Sequence, residues 1–254
     1  MTTLGMTNRI AIALVLATGC GPFQPAQPNP QPPPPTNTTT TVHTQPDPHA
    51  QHAQHDQPGH HAPGGMQHRF NDAEKWARIF DDPKRDEWQQ PDKVIAALTL
   101  TKKMTVADIG AGTGYFAVRL ARAVPEGEVI ATDVEPDMVR YLADRAKREQ
   151  LPNLRAVETP PDDPKLAAGS VDRILVVDVW HHLGDRVAYA KKLAAGLRPG
   201  GKLAVVDFKL HAKQGPPREH RLAPEAIAAD LRAAGLSTGP TIDLPEQYIV
   251  IGSR

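Results

Sequence analysis

The densest group of chemically useful residues is Val106-Ala107-Asp108-Ile109-Gly110-Ala111-Gly112-Thr113-Gly114-Tyr115-Phe116. Three glycines stand at alternate positions, and glycine suits backbone that takes φ > 0 or approaches a ligand with no Cβ in the way. The residues before them are short, apolar and β-prone. Those after them, Phe116 to Ala123, carry Val118, Leu120 and Ala121 in a helical pattern. A strand, a tight turn and a helix whose N-terminus faces the space over the turn form an element suited to a nucleotide-like ligand.

The spacing discriminates between nucleotides. A dinucleotide turn has Gly-x-Gly-x-x-Gly with pyrophosphate at the helix N-terminus, whereas here the position of the third glycine is Tyr115. Asp108 precedes the turn, and a carboxylate there repels pyrophosphate but pairs with a cation. Asp133 ends the next expected strand, about 20 residues on, the distance at which an acid accepts ribose hydroxyls. S-adenosylmethionine carries an ammonium and a sulfonium and no phosphate, so two acids around a glycine turn favour it over NAD.

These residues resemble the class I S-adenosylmethionine-dependent methyltransferases. Asp108 to Gly114 is similar to their first motif and Val129-Ile-Ala-Thr-Asp133 to their second. Leu197-Arg-Pro-Gly-Gly-Lys-Leu-Ala-Val-Val-Asp207 resembles the Pro-Gly-Gly turn leading into the fifth strand. Gly169 to Asp178, followed by Val-Trp-His-His-Leu183, resembles the fourth strand and its loop. The likeness spans roughly residues 94 to 254. It implies an α/β fold, a seven-stranded and mostly parallel Rossmann-like sheet with helices on both faces and an antiparallel edge strand. It also implies S-adenosyl-L-methionine as cofactor and methyl transfer to an unidentified small-molecule acceptor; the alternative is a silent nucleoside-binding module tethered to a membrane.

Placed on this chain, cofactor contacts fall on Asp108, Gly110, Ala111, Gly112, Gly114, Asp133 and Val134, with Asp133 also a candidate helix cap. The family has an acid after the third strand that accepts from the adenine amino group. The Gly-Asp-Ala-like sequence around it is missing here, which leaves Asp162, with Asp163 beside it, for that role. Asp178 would reach the mouth of the site next to the transferred methyl, with His181 and His182 on the following loop. A base is needed only if the acceptor must lose a proton, and histidine titrates suitably for that.

The supporting elements follow from alternation of strands and helices after Thr105, the pattern of a parallel sheet covered on both faces. Strands are expected at 106–109, 128–132, 154–158, 171–177 and 202–207, then at 237–244 and 247–252. Helices are expected from Pro136 to about Glu149, from Arg186 to Leu197 and from Pro224 to Ala234. Ahead of the sheet, Asn71-Asp72 cap a short amphipathic helix, 73–80, followed by a loop or broken helix to Pro91 and a helix from Asp92 to Leu98. Residues 69–98 would form a helical lid, its Trp76, Phe80 and Trp88 serving either closure or plain packing.

Composition divides the chain further. Lysine plus arginine and aspartate plus glutamate both number 29, so no basic footprint for nucleic acid is present. The 26 prolines crowd toward the N-terminus. Residues 1–19, with Arg9 ahead of apolar Ile10 to Ala17, read as a signal peptide, and Ala17-Thr-Gly-Cys20 resembles a bacterial lipobox. The expectation is a lipid anchor at Cys20 in the bacterial cell envelope, with a cytoplasmic location as the alternative. Residues 20–68, rich in Pro, Gln, Thr and His, read as an unstructured tether. His52 and His55 could share a metal ion, but no fixed ligand spacing accompanies them, so no metal site is assigned. The domain proper is 69–254, and its oligomeric state is open.

Overall fold

The computed structural model describes residues 72–254. The expected signal peptide, Cys20, the tether and the first three residues of the lid lie outside the described residues. A single sheet contains β1 (Thr105–Ile109), β2 (Glu128–Asp133), β3 (Leu154–Glu158), β4 (Val171–Val177), β5 (Leu197–Phe208), β6 (Ser237–Thr238), β7 (Ile242–Asp243) and β8 (Gln247–Ser253). Its order is β3-β2-β1-β4-β5-β8-β6, with β7 also paired to β8. The first five strands run parallel, and β8 enters antiparallel between β5 and the two short strands.

Among the described residues seven α-helices surround the sheet: α1 (Ala73–Phe80), α2 (Arg85–Gln89), α3 (Pro91–Ala97), α4 (Tyr115–Ala123), α5 (Pro136–Arg148), α6 (Arg186–Gly196) and α7 (Pro224–Ala233). Period-2 alternation along β1 divides the core. Val106 packs with Phe116, Leu120 and Leu142 on one face, while Ala107 and Ile109 join Ile174, Leu193 and Leu231 on the other. Asp108 therefore shares the face of Val106 and α4. Order reverses between β1 and its neighbours β2 and β4, so the crevice beyond their carboxyl ends is where this architecture binds ligands.

Two elements depart most from the sequence reading, and one stretch, expected as a loop or broken helix, takes a defined form. β5 begins at Leu197 because Leu197 already pairs with Val171, and Pro199-Gly200-Gly201 bulge out before Lys202 pairs with Arg173. Gly200, at φ 74°, permits that bulge. The penultimate strand is two fragments, β6 and β7, because Pro240 has no N–H to give the ladder and Gly239 weakens it. The charged stretch after α1 is ordered as α2, and Gln90, in the left-handed region at φ 48°, turns the chain into α3.

The loop after β4 is anchored by Trp180, which is fully buried and donates its indole N–H to Asp230 Oδ2 at 3.1 Å. It sits in a 3-10 turn, Trp180–His182, directly behind Asp178. Trp180→Ala should therefore cost roughly 3–5 kcal/mol of unfolding free energy. Urea denaturation followed by circular dichroism measures it, and a loss below about 1 kcal/mol would contradict this anchoring role.

Candidate active site

A cavity of about 950 Å3 opens beyond the carboxyl ends of β1, β2 and β4. The glycine turn forms its floor. Gly110, Gly112 and Gly114 all have positive φ, at 69°, 54° and 95°. A Cβ on Gly110 would lie 2.4 Å from Val179 Cγ2, and one on Gly114 would lie 2.3 Å from Leu142 Cδ1. At those two glycines a Cβ would both strain the backbone and force the Val179 and Leu142 methyls to shift. Gly112 is different: a Cβ there would meet only the Phe80 ring, at 3.6 Å, so its left-handed φ is the constraint.

Acids stand around this floor. Asp133 accepts from the Gly112 N–H at 2.8 Å through Oδ2 and from the Glu135 N–H at 3.0 Å through Oδ1. It thus fixes the turn as well as facing the cavity, and a carboxylate retains lone pairs for a further donor. Glu135 is the residue that precedes α5 as its cap, so the expected capping by Asp133 takes the form of a brace between two loops. Burial raises the Asp133 pKa against the pull of these N–H groups.

Asp108 is 3% exposed and lines the cavity. Its Oδ2 has no hydrogen-bond partner. Burial and the nearby Asp133 push its carboxyl up to about 7, against the opposing influence of Arg85 and the Ala117 N–H. A buried carboxyl with an unpartnered oxygen, on a residue that lines the cavity, fits an ammonium group and disfavours phosphate.

Asp178 sits one residue past β4 at φ 59°, a conformation uncommon for a non-glycine residue. It accepts from Gln247 Nε2 and faces Arg85 Nη2 at 3.5 Å. Burial raises its pKa to about 7. His182 lines the cavity, but His181 does not. The His181 ring turns behind Asp178 to meet Asp207 Oδ1 at 2.9 Å, with its side chain 3% exposed. Burial lowers the His181 pKa, but the Asp207 carboxylate outweighs it and the net shift is upward.

Ala111, Val134 and Asp162 all line the cavity. Asp163 does not; its Oδ1 instead accepts from the Lys165 N–H at 2.9 Å in its own turn. The structure thus separates two residues that sequence left equivalent. Arg85, Tyr189, Lys192 and Thr159 also line the cavity and were missed. Of the two cations Arg85 is the less accessible, its side chain 14% exposed, and nothing in the charged run 81–91 marks it. Among the described residues no cluster of His, Cys, Asp or Glu is placed to hold a metal ion.

Residues 106–201 match a family described as a methyltransferase domain. A crystal structure of a SAM-dependent methyltransferase from Aquifex aeolicus superposes with a TM-score of 0.67 at 28% identity, covering 72% of this chain and 98% of that one. Over these residues the chain is similar to S-adenosyl-L-methionine-dependent methyltransferases. Trans-aconitate 2-methyltransferase of Rhodopseudomonas palustris (strain BisB5) is 31% identical over 140 residues, covering 52% of this chain and 48% of the relative. Methyltransferase str3 of Strobilurus tenacellus is 30% identical over 126 residues, covering 49% of this chain and 43% of the relative. The chain spans about half the length of these curated relatives.

The buried carboxyl of Asp108 has a consequence for stability. Asp108 ionises at about 7 in the folded domain against an ordinary value of 3.8. Its contribution to stability is therefore complete below pH 3.8, declines as pH rises and is lost above about 7. Asp108→Asn should melt a few degrees above the parent at pH 8, converge with it near pH 4, and bind the cofactor more weakly. Melting curves across that range check the sign; an equal or lower Tm at pH 8 would remove the claim that this carboxylate is held at a cost.

Proposed function

We propose that this protein transfers a methyl group from S-adenosyl-L-methionine to a small-molecule acceptor bound in the same cavity. The observation that carries the reading is the unpartnered Asp108 Oδ2 beside a glycine turn that Asp133 braces. Asp108 is suited to the methionyl ammonium, the backbone at Gly110, Ala111 and Gly112 to close approach, Asp133 to the ribose hydroxyls and Asp162 to the adenine amino group. The cofactor supplies an activated methyl on a positively charged sulfur. Methyl displacement is in-line, so these residues work mainly by fixing geometry and keeping water out.

Asp178 is the group suited to proton transfer. Its carboxyl titrates near neutrality at the cavity wall, which matches the requirement for a general base toward a hydroxyl or amine acceptor. His182, on the same wall, is a second candidate. His181 is not among the residues lining the cavity, and its ring supports the wall through Asp207. The reading extends to location: the lipobox-like Ala17 to Cys20 and the proline-rich tether favour a lipid-anchored domain in a bacterial envelope.

Calorimetric titration of the full chain with S-adenosylmethionine and with NAD tests the assignment. Saturable binding of the first alone is expected, with affinity rising from pH 6 to pH 8 as Asp108 ionises. Gly112→Ala should fold, since its Cβ has room, yet lose affinity at least about tenfold through backbone strain and crowding of the ligand. Binding of NAD instead would overturn the proposal. Binding without transfer of a labelled methyl to a broad acceptor library would leave a nucleoside-binding module. For location, labelled palmitate should enter the chain expressed in a bacterium and be lost in Cys20→Ser; an unlabelled parent chain would refute the anchor.

A further inference from the structure

Four buried or largely buried side chains from distant parts of the chain close a ring at the cavity wall. Arg85 Nε donates to Gln89 Oε1 at 2.6 Å, and Gln89 Nε2 donates to Gln247 Oε1 at 2.5 Å. Gln247 Nε2 donates to Asp178 Oδ1, and Asp178 Oδ2 returns to Arg85 Nη2 at 3.5 Å. Gln89 and Gln247 are both 0% exposed. The orientation of each amide follows from the ends of the relay. A guanidinium can only donate, so Gln89 must offer it oxygen and turn its nitrogen to Gln247. An ionised carboxylate can only accept, so Gln247 must turn its nitrogen to Asp178. Both requirements are met by one arrangement, which leaves no amide hydrogen-bonding end of the pair facing the wrong way.

Neither glutamine lines the cavity, whereas Arg85 and Asp178 both do. We propose that Gln89 and Gln247 are positioning residues of the active site, relaying one hydrogen-bond direction from Arg85 to Asp178 and so holding α2 and the carboxylate of Asp178 at the cavity wall. This rests on the methyltransferase reading for its functional meaning but not for its test.

The ring has work to do at both ends. A helix of five residues, such as α2, is marginal by itself and depends on tertiary contacts for its order. Asp178, at φ 59°, needs surrounding contacts to hold its uncommon backbone. The charged and titratable groups facing it are Arg85 from α2, Asp207 from β5 and His181 from the turn after β4. Arg85 and His181 favour its ionised form, Asp207 opposes it, and the Gln247 amide adds a donor that favours ionisation.

Gln247→Met and Gln89→Met, made in the full chain, keep side-chain length while removing the amides from two different elements. Hydrogen exchange of the Arg85–Gln89 amides and a carbon-13 titration of labelled aspartate carboxyls, with Asp178→Asn to assign the signal, need no ligand. Exchange in α2 should quicken about tenfold in both variants. The Asp178 titration should move up by about one pH unit in Gln247→Met and by less in Gln89→Met. Parental exchange and parental titration in Gln247→Met would overturn the proposal, as would a uniform rise in exchange with no shift at Asp178. If Gln247→Met fails to fold, Gln89→Met decides by the same α2 exchange, with parental exchange there counting against the proposal. A parallel titration of the parent with S-adenosylhomocysteine separates the two ideas: no binding there defeats the methyltransferase reading, while exchange and titration still judge the ring.

Discussion

Negative charge withheld from water is the constraint around which this domain is arranged. Asp108, Asp133 and Asp178 stand at the ends of three neighbouring strands, and burial raises the pKa of each. Each is handled differently. Asp133 is spent partly on backbone, receiving the N–H groups of Gly112 and Glu135. Asp178 is answered by an amide and a guanidinium. Asp108 keeps an oxygen with no partner. Ionised, that atom is unfavourable in the empty domain and favourable only against an incoming cation, which is how a binding site trades stability for affinity.

The segment over the cavity answers the same constraint with positive charge and aromatic faces. Arg85 stacks on Tyr115 at 4.2 Å, and Arg119 lies over the same ring at 4.0 Å. The Tyr115 hydroxyl donates to Asp86, which also pairs with Arg119 at 3.0 Å. Farther along, Arg145 reaches both Asp81 Oδ1 at 2.9 Å and the Thr113 carbonyl at 3.0 Å, tying the end of α1 to the glycine turn. Asp137 accepts from the Ala73 N–H at 2.6 Å and seats the start of α1 on α5. Tyr115, which stands where a dinucleotide turn would have its last glycine, is thus also the post on which the covering segment is fastened.

Much of this was legible in one dimension because local chemistry and global architecture agree. The glycine turn, the alternation of strand and helix and the acids at strand ends each depend on neighbours close in sequence, and they emerge where expected. What stayed hidden depends on partners far away. Asp162 and Asp163 differ only because one faces the cavity and the other closes its own turn. His181 and His182 are adjacent, yet Asp207 on β5 draws one ring out of reach. Arg85 looked like one charge among many until Tyr115, Asp178 and Gln89 converged on it. The early start of β5 was masked by Pro199-Gly200-Gly201, which resembles a terminator but is a bulge inside a strand.

The long separations in the Arg85–Gln89–Gln247–Asp178 ring also bear on how the domain forms. Gln89 and Gln247 lie 158 positions apart along the chain, and Gln247 and Asp178 lie 69 apart. Loop closure over such distances is compensated only after much of the intervening polypeptide has collapsed into place. Because Gln247 is the first residue of β8, the ring closes only where β8 lies beside β5. A chain whose sheet and glycine turn had formed without β8 in place would still lack this wall of the cavity.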